Sequence, residues 1–284
     1  HINDAAAKVN EDYAQTGIFS FGGMHPDAPN WKEELSRVER LGLKGIKLHP
    51  IYQGVDLDDP RFLRILDRCG ELGLVVLVHA GLDVGIPGKV HASPEMSLNA
   101  IKQVGPVKLI LAHMGGWRNW DQVEQLLSDT PVRLDTAFTL GDMAPANDGF
   151  YSPEELHMMG REQFTRMVGL FGPERIFFGT DCPWGSQKES LDRIRALPLS
   201  QDSLDAILGG NAQRLLELEA PLSITTGFDR DNLYLEVCRP SVKRVELLAR
   251  VRERPGECGI VYCSTRKNVE EVCQFLQSSG ISAT

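Results

Sequence analysis

Between Gly17 and Leu216, six short runs rich in β-branched and aromatic residues alternate with stretches of helical period: GIFSFGGMH, GIKLHP, LVVLVHAG, KLILAHMGG, VRLDTAF and RIFFGTDCP. Strands that are apolar at nearly every position are buried on both faces, and the helix-length segment after each is the crossover that parallel strands need. The expected fold is α/β, a parallel sheet covered by helices, either closed as a barrel or open and doubly wound. Six βα units are two short of a (βα)8 barrel. The placement of polar residues favours an incomplete barrel all the same. In five of the six runs they gather at the C-terminal end, the face on which barrels build active sites, and in the sixth Asp135 is the comparable residue.

The intervening segments carry matching helix signals. WKEELSRVERLG sets Leu35, Val38 and Leu41 on one face, DPRFLRILDRCGELG does the same with Phe62, Ile65, Leu66 and Cys69, and each ends at glycine. An apolar content of 42% is ample for a core, while a formal charge of -9 disfavours nucleic acid and anionic membrane surfaces as partners. No apolar run approaches the roughly 18 residues that span a bilayer. The six cysteines include no C-x-x-C pair, which fits reduced thiols in a cytoplasmic protein. The chain opens at His1 with neither an initiator Met nor a signal-peptide layout, as expected if its true beginning is missing.

Chemistry concentrates at three strand ends. Alternation puts Val75, Leu77 and His79 on one face, Leu109, Leu111 and His113 on the equivalent face of another strand, and Phe177, Gly179 and Asp181 on that of a third. Each residue alone has an ordinary reading, a hydrogen-bonded core histidine or a turn-capping aspartate. Two imidazoles and a carboxylate converging from separate parallel strands instead suit zinc or a similar divalent ion.

These residues resemble the amidohydrolase-related family, the metal-dependent TIM-barrel hydrolases and decarboxylases, in GIKLHP, VLVHAG, LAHMGG, FFGTDCPW and LGGNAQRLL, an ordered set over about residues 20–218. The resemblance implies a divalent metal, zinc first among candidates, and hydrolysis of a C-N or C-O bond, or decarboxylation, in a small organic substrate. It maps His79 onto the fifth-strand metal ligand and His113 onto the sixth-strand histidine that is a ligand or an acid/base according to subgroup. Asp181 maps onto the eighth-strand aspartate that holds the metal or its water and serves as general base. The family's first strand also carries a His-x-His pair of ligands, and this sequence has none. With the first two βα units absent, the loss of two ligands removes on the order of 5 kcal/mol from a site otherwise worth about 10 to 16 kcal/mol.

Further strand-end residues are candidates for substrate contact: Lys47 and His49, which alternate onto one face of GIKLHP, and Trp184 after the aspartate. His25 is a candidate for the pocket mouth. His91 reads as a loop histidine, and His1 and His157 as surface residues. Phe138 to Glu155 has the length and Gly/Pro/Asn content of a loop over the site, ending in the N-cap signature Ser152-Pro153-Glu154-Glu155.

A domain boundary is expected near Pro221, giving a barrel domain over 1–220 and a βαβα segment over 221–284. That segment resembles RecQ-type DNA helicases in TTGFDRDNLYLEV and GIVYCSTRKNVEEVCQFL, where the link between motor lobes meets the second lobe. No G-x-x-x-x-G-K-[ST] loop or Asp-Glu box accompanies it, so the phosphate cradle of a motor is missing. A strand-helix-strand-helix tail could occupy the vacant barrel sector. Three functions therefore stand open: a metal-dependent hydrolase acting on a small molecule, a helicase fragment, and a catalytically silent barrel. Self-association into a homo-oligomer is compatible with all three.

Overall fold

The computed structural model describes residues 2–143, 150–218, 243–254, 261 and 266–283. Each of the six apolar runs contains one strand: β1 (Gly22–Gly23), β2 (Gly45–Leu48), β3 (Val75–Val78), β4 (Lys108–Leu111), β5 (Arg133–Asp135) and β6 (Ile176–Phe177). They form one parallel sheet in sequential order. Parallel crossovers are right-handed, so strands that follow one another without reversal keep their connecting helices on one face. A doubly wound sheet reverses its strand order and puts helices on both. The sequential order is that of a barrel wall.

Helices α1 (Ile2–Asp12), α2 (Trp31–Arg40), α3 (Pro50–Gln53), α4 (Pro60–Glu71), α5 (Pro94–Gln103), α6 (Trp120–Leu127), α7 (Arg161–Phe171), α8 (Gln187–Arg195), α9 (Gln201–Asp205) and α10 (Asn211–Leu216) complete the first compact unit. Starts are written in side chains. The Asp59 carboxylate accepts the Arg61 N–H ahead of Pro60, and the Ser93 hydroxyl accepts the Met96 N–H ahead of Pro94, caps worth about 1 kcal/mol each. Phe62, Ile65, Leu66 and Cys69 are fully buried, as their spacing requires, and so are Leu35 and Val38. Each large apolar side chain among them contributes about 1.5–3 kcal/mol by leaving water.

The sheet separates two apolar clusters. Val76, Val78, Leu109 and Leu111 join the large helix-facing core, whereas Val75, Ile110 and Phe177 form a small inner cluster with Phe21 and Leu77 that Ala212, Leu215 and Leu216 of α10 cover. The register pairs Leu109 with Val76 and Ile110 with Leu77. Leu109 and Leu111 therefore face the helices, opposite to the face expected from alternation with His113. His113 reaches the inner side because the chain bends after β4, with φ 60° at His113 and 51° at Met114.

Among the described residues the sheet has six strands and two edges, and helices cap both. On α1, Asn3, Ala6 and Asn10 share one face. The Asn3 carboxamide accepts the Gly23 N–H at 2.8 Å and donates to the Gly23 carbonyl at 3.2 Å; Asn10 makes the same two bonds with Ser20. Seven helical residues rise about 10.5 Å, and three strand residues span about 10 Å. The two amides thus match the spacing of the edge groups. At the other edge the Asn211 amide donates to the Ile176 carbonyl at 2.7 Å, and the Phe178 N–H donates to the Ile207 carbonyl at 3.0 Å.

Of the loop expected over the site, residues 144–149 lie outside the described residues. Its end is a 3-10 turn at Pro153–Glu155, in which the Ser152 N–H donates to Glu155 Oε2 at 2.9 Å. The second compact unit, 225–284, contains α11 (Lys243–Arg252) and α12 (Arg266–Ser278), paired through Arg244 and Glu271. The two tail strands expected from NLYLEV and CGIVYCS, and with them any completion of the barrel, fall outside the described residues apart from Val261.

Asn3→Ala should strip the edge of its cap and leave the half-buried Gly23 N–H and C=O unpaired, a loss of about 2 kcal/mol. Denaturant titration should show that loss, and light scattering should show concentration-dependent association; a monodisperse variant of unchanged stability would contradict the edge-capping role.

Candidate metal centre at the strand ends

Three side chains beyond the ends of β2 and β3 bring their ligand atoms within 4.8 Å of one another: His49, His79 and Asp83. His49 follows β2 directly, and its N–H donates to Gln53 Oε1 at 2.9 Å. His79 continues the ladder, its N–H donating to the Leu48 carbonyl at 3.1 Å. Asp83 lies four residues on, after a turn at Gly81. A side chain at Gly81 would place its Cβ 2.5 Å from Gly116 Cα, and φ is +79°. Only glycine lets this turn bridge to Trp117.

The turn orients the carboxylate. Asp83 Oδ1 accepts the N–H groups of Gly85 at 2.7 Å and Ile86 at 3.2 Å, while Oδ2 faces His79 Nε2 at 3.5 Å and His49 Nε2 at 3.6 Å. Two ligands of one tetrahedral zinc, bonded at 2.0–2.1 Å, stand about 3.4 Å apart. The His49 ring is stacked between Tyr52, at 3.8 Å, and His79, at 4.1 Å.

His113 is held at three points. Its backbone N–H donates to Asp135 Oδ1 at 3.0 Å, its carbonyl accepts the Trp120 indole N–H at 3.0 Å, and its Nδ1 lies 2.9 Å from the Ala137 carbonyl. These bonds offset the cost of left-handed backbone at a non-glycine residue, about 1–2 kcal/mol. Its Nε2 is 3.1 Å from His79 Nδ1.

Burial, reinforced by the neighbouring charges of His113, His49 and Lys47 and weakly opposed by the Leu82 backbone, pushes His79 down to about 2. Burial likewise lowers His49 to about 4, with Asp83 opposing. Both rings are therefore neutral at pH 7 and carry free lone pairs, the form a metal binds. His79 Nε2 and His49 Nδ1 are buried without a hydrogen-bond partner, an expensive state that a bound cation relieves at the first of them. The donor set fits a divalent ion.

The residues singled out from sequence are distributed as follows. His79 and His113 meet, and His49 joins them as a candidate ligand beside its expected part in substrate contact. Asp181 is exposed, with φ 53°, and stands outside the three-donor group, though its charge acts on both Lys47 and His49. Lys47 is half-buried and its pKa is lowered by burial against the pull of Asp135 and Asp181. Trp184 is 80% exposed and lines a separate cavity of about 220 Å³ with Phe138, Thr180 and Arg193. A larger cavity, about 280 Å³, lies at the opposite ends of the strands, against Leu43, Leu74 and Lys108. Asp83 went unnoticed in the sequence. Its only signal is the His-x-x-x-Asp spacing across a glycine. Asp135, noted as the polar end of its run, proves to be the clamp on His113 and on the Ala137 N–H at 2.9 Å.

Comparison with known proteins bears on this site. The chain is 27% identical over 213 residues to 2-amino-3-carboxymuconate-6-semialdehyde decarboxylase of Dictyostelium discoideum, covering 66% of this chain and 57% of that protein. It is also 32% identical over 105 residues to ATP-dependent DNA helicase Q1 of Rattus norvegicus, covering 35% of this chain and 17% of the relative. The chain thus spans little more than half of one curated relative and under a fifth of the other. Among solved structures, 5-carboxyvanillate decarboxylase from Sphingomonas paucimobilis superposes with a TM-score of 0.53 at 17% identity, covering 76% of this chain and 71% of that one. A dihydroxybenzoic acid decarboxylase from Polaromonas, solved with bound manganese, gives 0.52 at 18%, covering 78% and 76%. These likenesses establish the TIM-barrel fold. The amidohydrolase family model matches residues 2–218, and the chain belongs to that family.

Proposed function

We propose that this chain is a divalent-metal enzyme acting on a small carboxylated organic molecule, by decarboxylation or by hydrolysis. The observation that carries the reading is the half-buried, neutral His49 and His79 pair whose Nε2 atoms face Asp83 Oδ2 on the catalytic face of the barrel. A bound ion would supply a Lewis acid that polarises a substrate oxygen. The chain's own groups do the rest. Lys47, half-buried and without an ion-pair partner among the described residues, binds the substrate carboxylate. Asp181, at the exposed mouth of the same space, accepts a proton during the reaction. The decarboxylase named among the relatives favours decarboxylation over hydrolysis.

A second reading, a helicase piece, is favoured only by the 105-residue similarity to helicase Q1. Salt-sensitive binding of single-stranded DNA would support it, and the net charge of -9 opposes it.

Purified protein should carry about one equivalent of metal, lost in His79→Ala, and should release carbon dioxide from one member of a panel of aromatic and unsaturated acids. Lys47→Met should raise KM tenfold or more, as loss of a charge-assisted hydrogen bond of about 1.5–3 kcal/mol requires. Trace metal in the wild type, with no turnover of any acid or lactone, would overturn the reading.

The metal-free protein should also be acid-sensitive. Both histidines take up protons less readily folded than unfolded, so below pH 6.5 the unfolded chain binds protons first and stability falls as pH falls. Between pH 7 and pH 5 each should lose roughly 2 kcal/mol. Denaturant titrations across that window should flatten in His49→Gln and His79→Gln.

A further inference from the structure

The contacts of His113 determine which nitrogen of His79 is free. The Ala137 carbonyl is acceptor only, so His113 Nδ1, 2.9 Å away, must carry the proton. In a neutral ring Nε2 is then a lone pair. That lone pair, 3.1 Å from His79 Nδ1, requires a donor, so His79 carries its proton on Nδ1. His79 Nε2 is left as a lone pair, facing Asp83 Oδ2 at 3.5 Å with no hydrogen-bond partner. Two lone pairs turned toward one another repel unless a cation lies between them.

Building on the metal-enzyme reading, we infer that His79 Nε2, His49 and Asp83 hold the ion. In this arrangement His113 is a positioning residue that acts through His79: the Ala137 carbonyl sets the tautomer of His113, and His113 sets that of His79. With both of its nitrogens engaged by protein atoms, His113 donates no ligand. Asp135 supports the relay by accepting the backbone N–H groups of both His113 and Ala137, which fixes the spacing of ring and carbonyl. Outer partners of this kind change metal affinity by about 10–100-fold.

Two measurements on the full chain test the assignment. In metal-free protein, long-range 15N-1H correlation spectra should show His79 and His113 both as the Nδ1-H tautomer. His79 protonated on Nε2, directed at the Leu82 carbonyl, would overturn the relay whether or not the protein is an enzyme. Cobalt titration followed by visible absorption and by elemental analysis tests the ligand set. Asp83→Ala and His49→Ala should lose binding, while Asp181→Ala keeps it. His113→Leu should weaken binding 10–100-fold, and His113→Gln, which returns an acceptor near the Nε2 position, should recover most of it with an unchanged cobalt spectrum. Equal loss in His113→Gln and His113→Leu, or retention in Asp83→Ala with loss in Asp181→Ala, would overturn the assignment. A wild type that binds no cobalt would overturn both the ligand set and the enzyme reading, yet leave the tautomer measurement to decide the relay separately.

Discussion

An open parallel sheet is stable only if the outward N–H and C=O groups of its edge strands find partners, because such groups template pairing with any other strand. Here the Asn3 and Asn10 carboxamides, which carry the same donor and acceptor as a peptide unit, take that part at one edge, and the Asn211 amide and Ile207 carbonyl share it at the other. The device works because the rise of two helical turns matches the length of three extended residues. With its edges satisfied by helices, the wall can present its inner face and its strand ends without being drawn into further pairing. Those strand ends are where the candidate site stands.

The site obeys a related economy of polar groups. Nearly every polar atom around the histidines is committed: Asp83 Oδ1 to a turn, Asp135 Oδ1 to two backbone N–H groups, and His113 to a carbonyl and to His79. Against that background the unpartnered nitrogens of His49 and His79 stand out. Burial keeps both rings uncharged near neutrality, so protons do not compete with a metal there. The same burial makes these rings a liability in acid, so the properties that suit them to a ligand role also limit the pH range of the apoprotein.

Much of the wall was legible from residues alone. Val75 to Val78 and Lys108 to Leu111 are read as strands because burial on both faces removes polar interruptions, and Phe62, Ile65, Leu66 and Cys69 mark a helix because their spacing fits one period. Asp83 and the capping asparagines were not legible. A carboxylate in a glycine-rich loop looks like any solvated turn residue until Gly81 and Gly116 approach each other. Asn3 and Asn10 sit in a polar, alanine-rich helix whose partner strand begins ten residues later, and no local pattern joins them.

The sequence by itself determined the number of βα units, the helix faces and the strand ends at which polar groups collect, since each follows from short-range periodicity. Tertiary structure alone decided that β4 turns Ile110 rather than Leu109 inward, that a left-handed bend carries His113 back to the inner side, and that Asp83 completes a three-donor cluster with His49 and His79. Periodicity assigns a face only while the backbone stays regular. Where a strand ends, one positive φ redirects a side chain by more than any pattern can encode, and sites of this kind are built at strand ends.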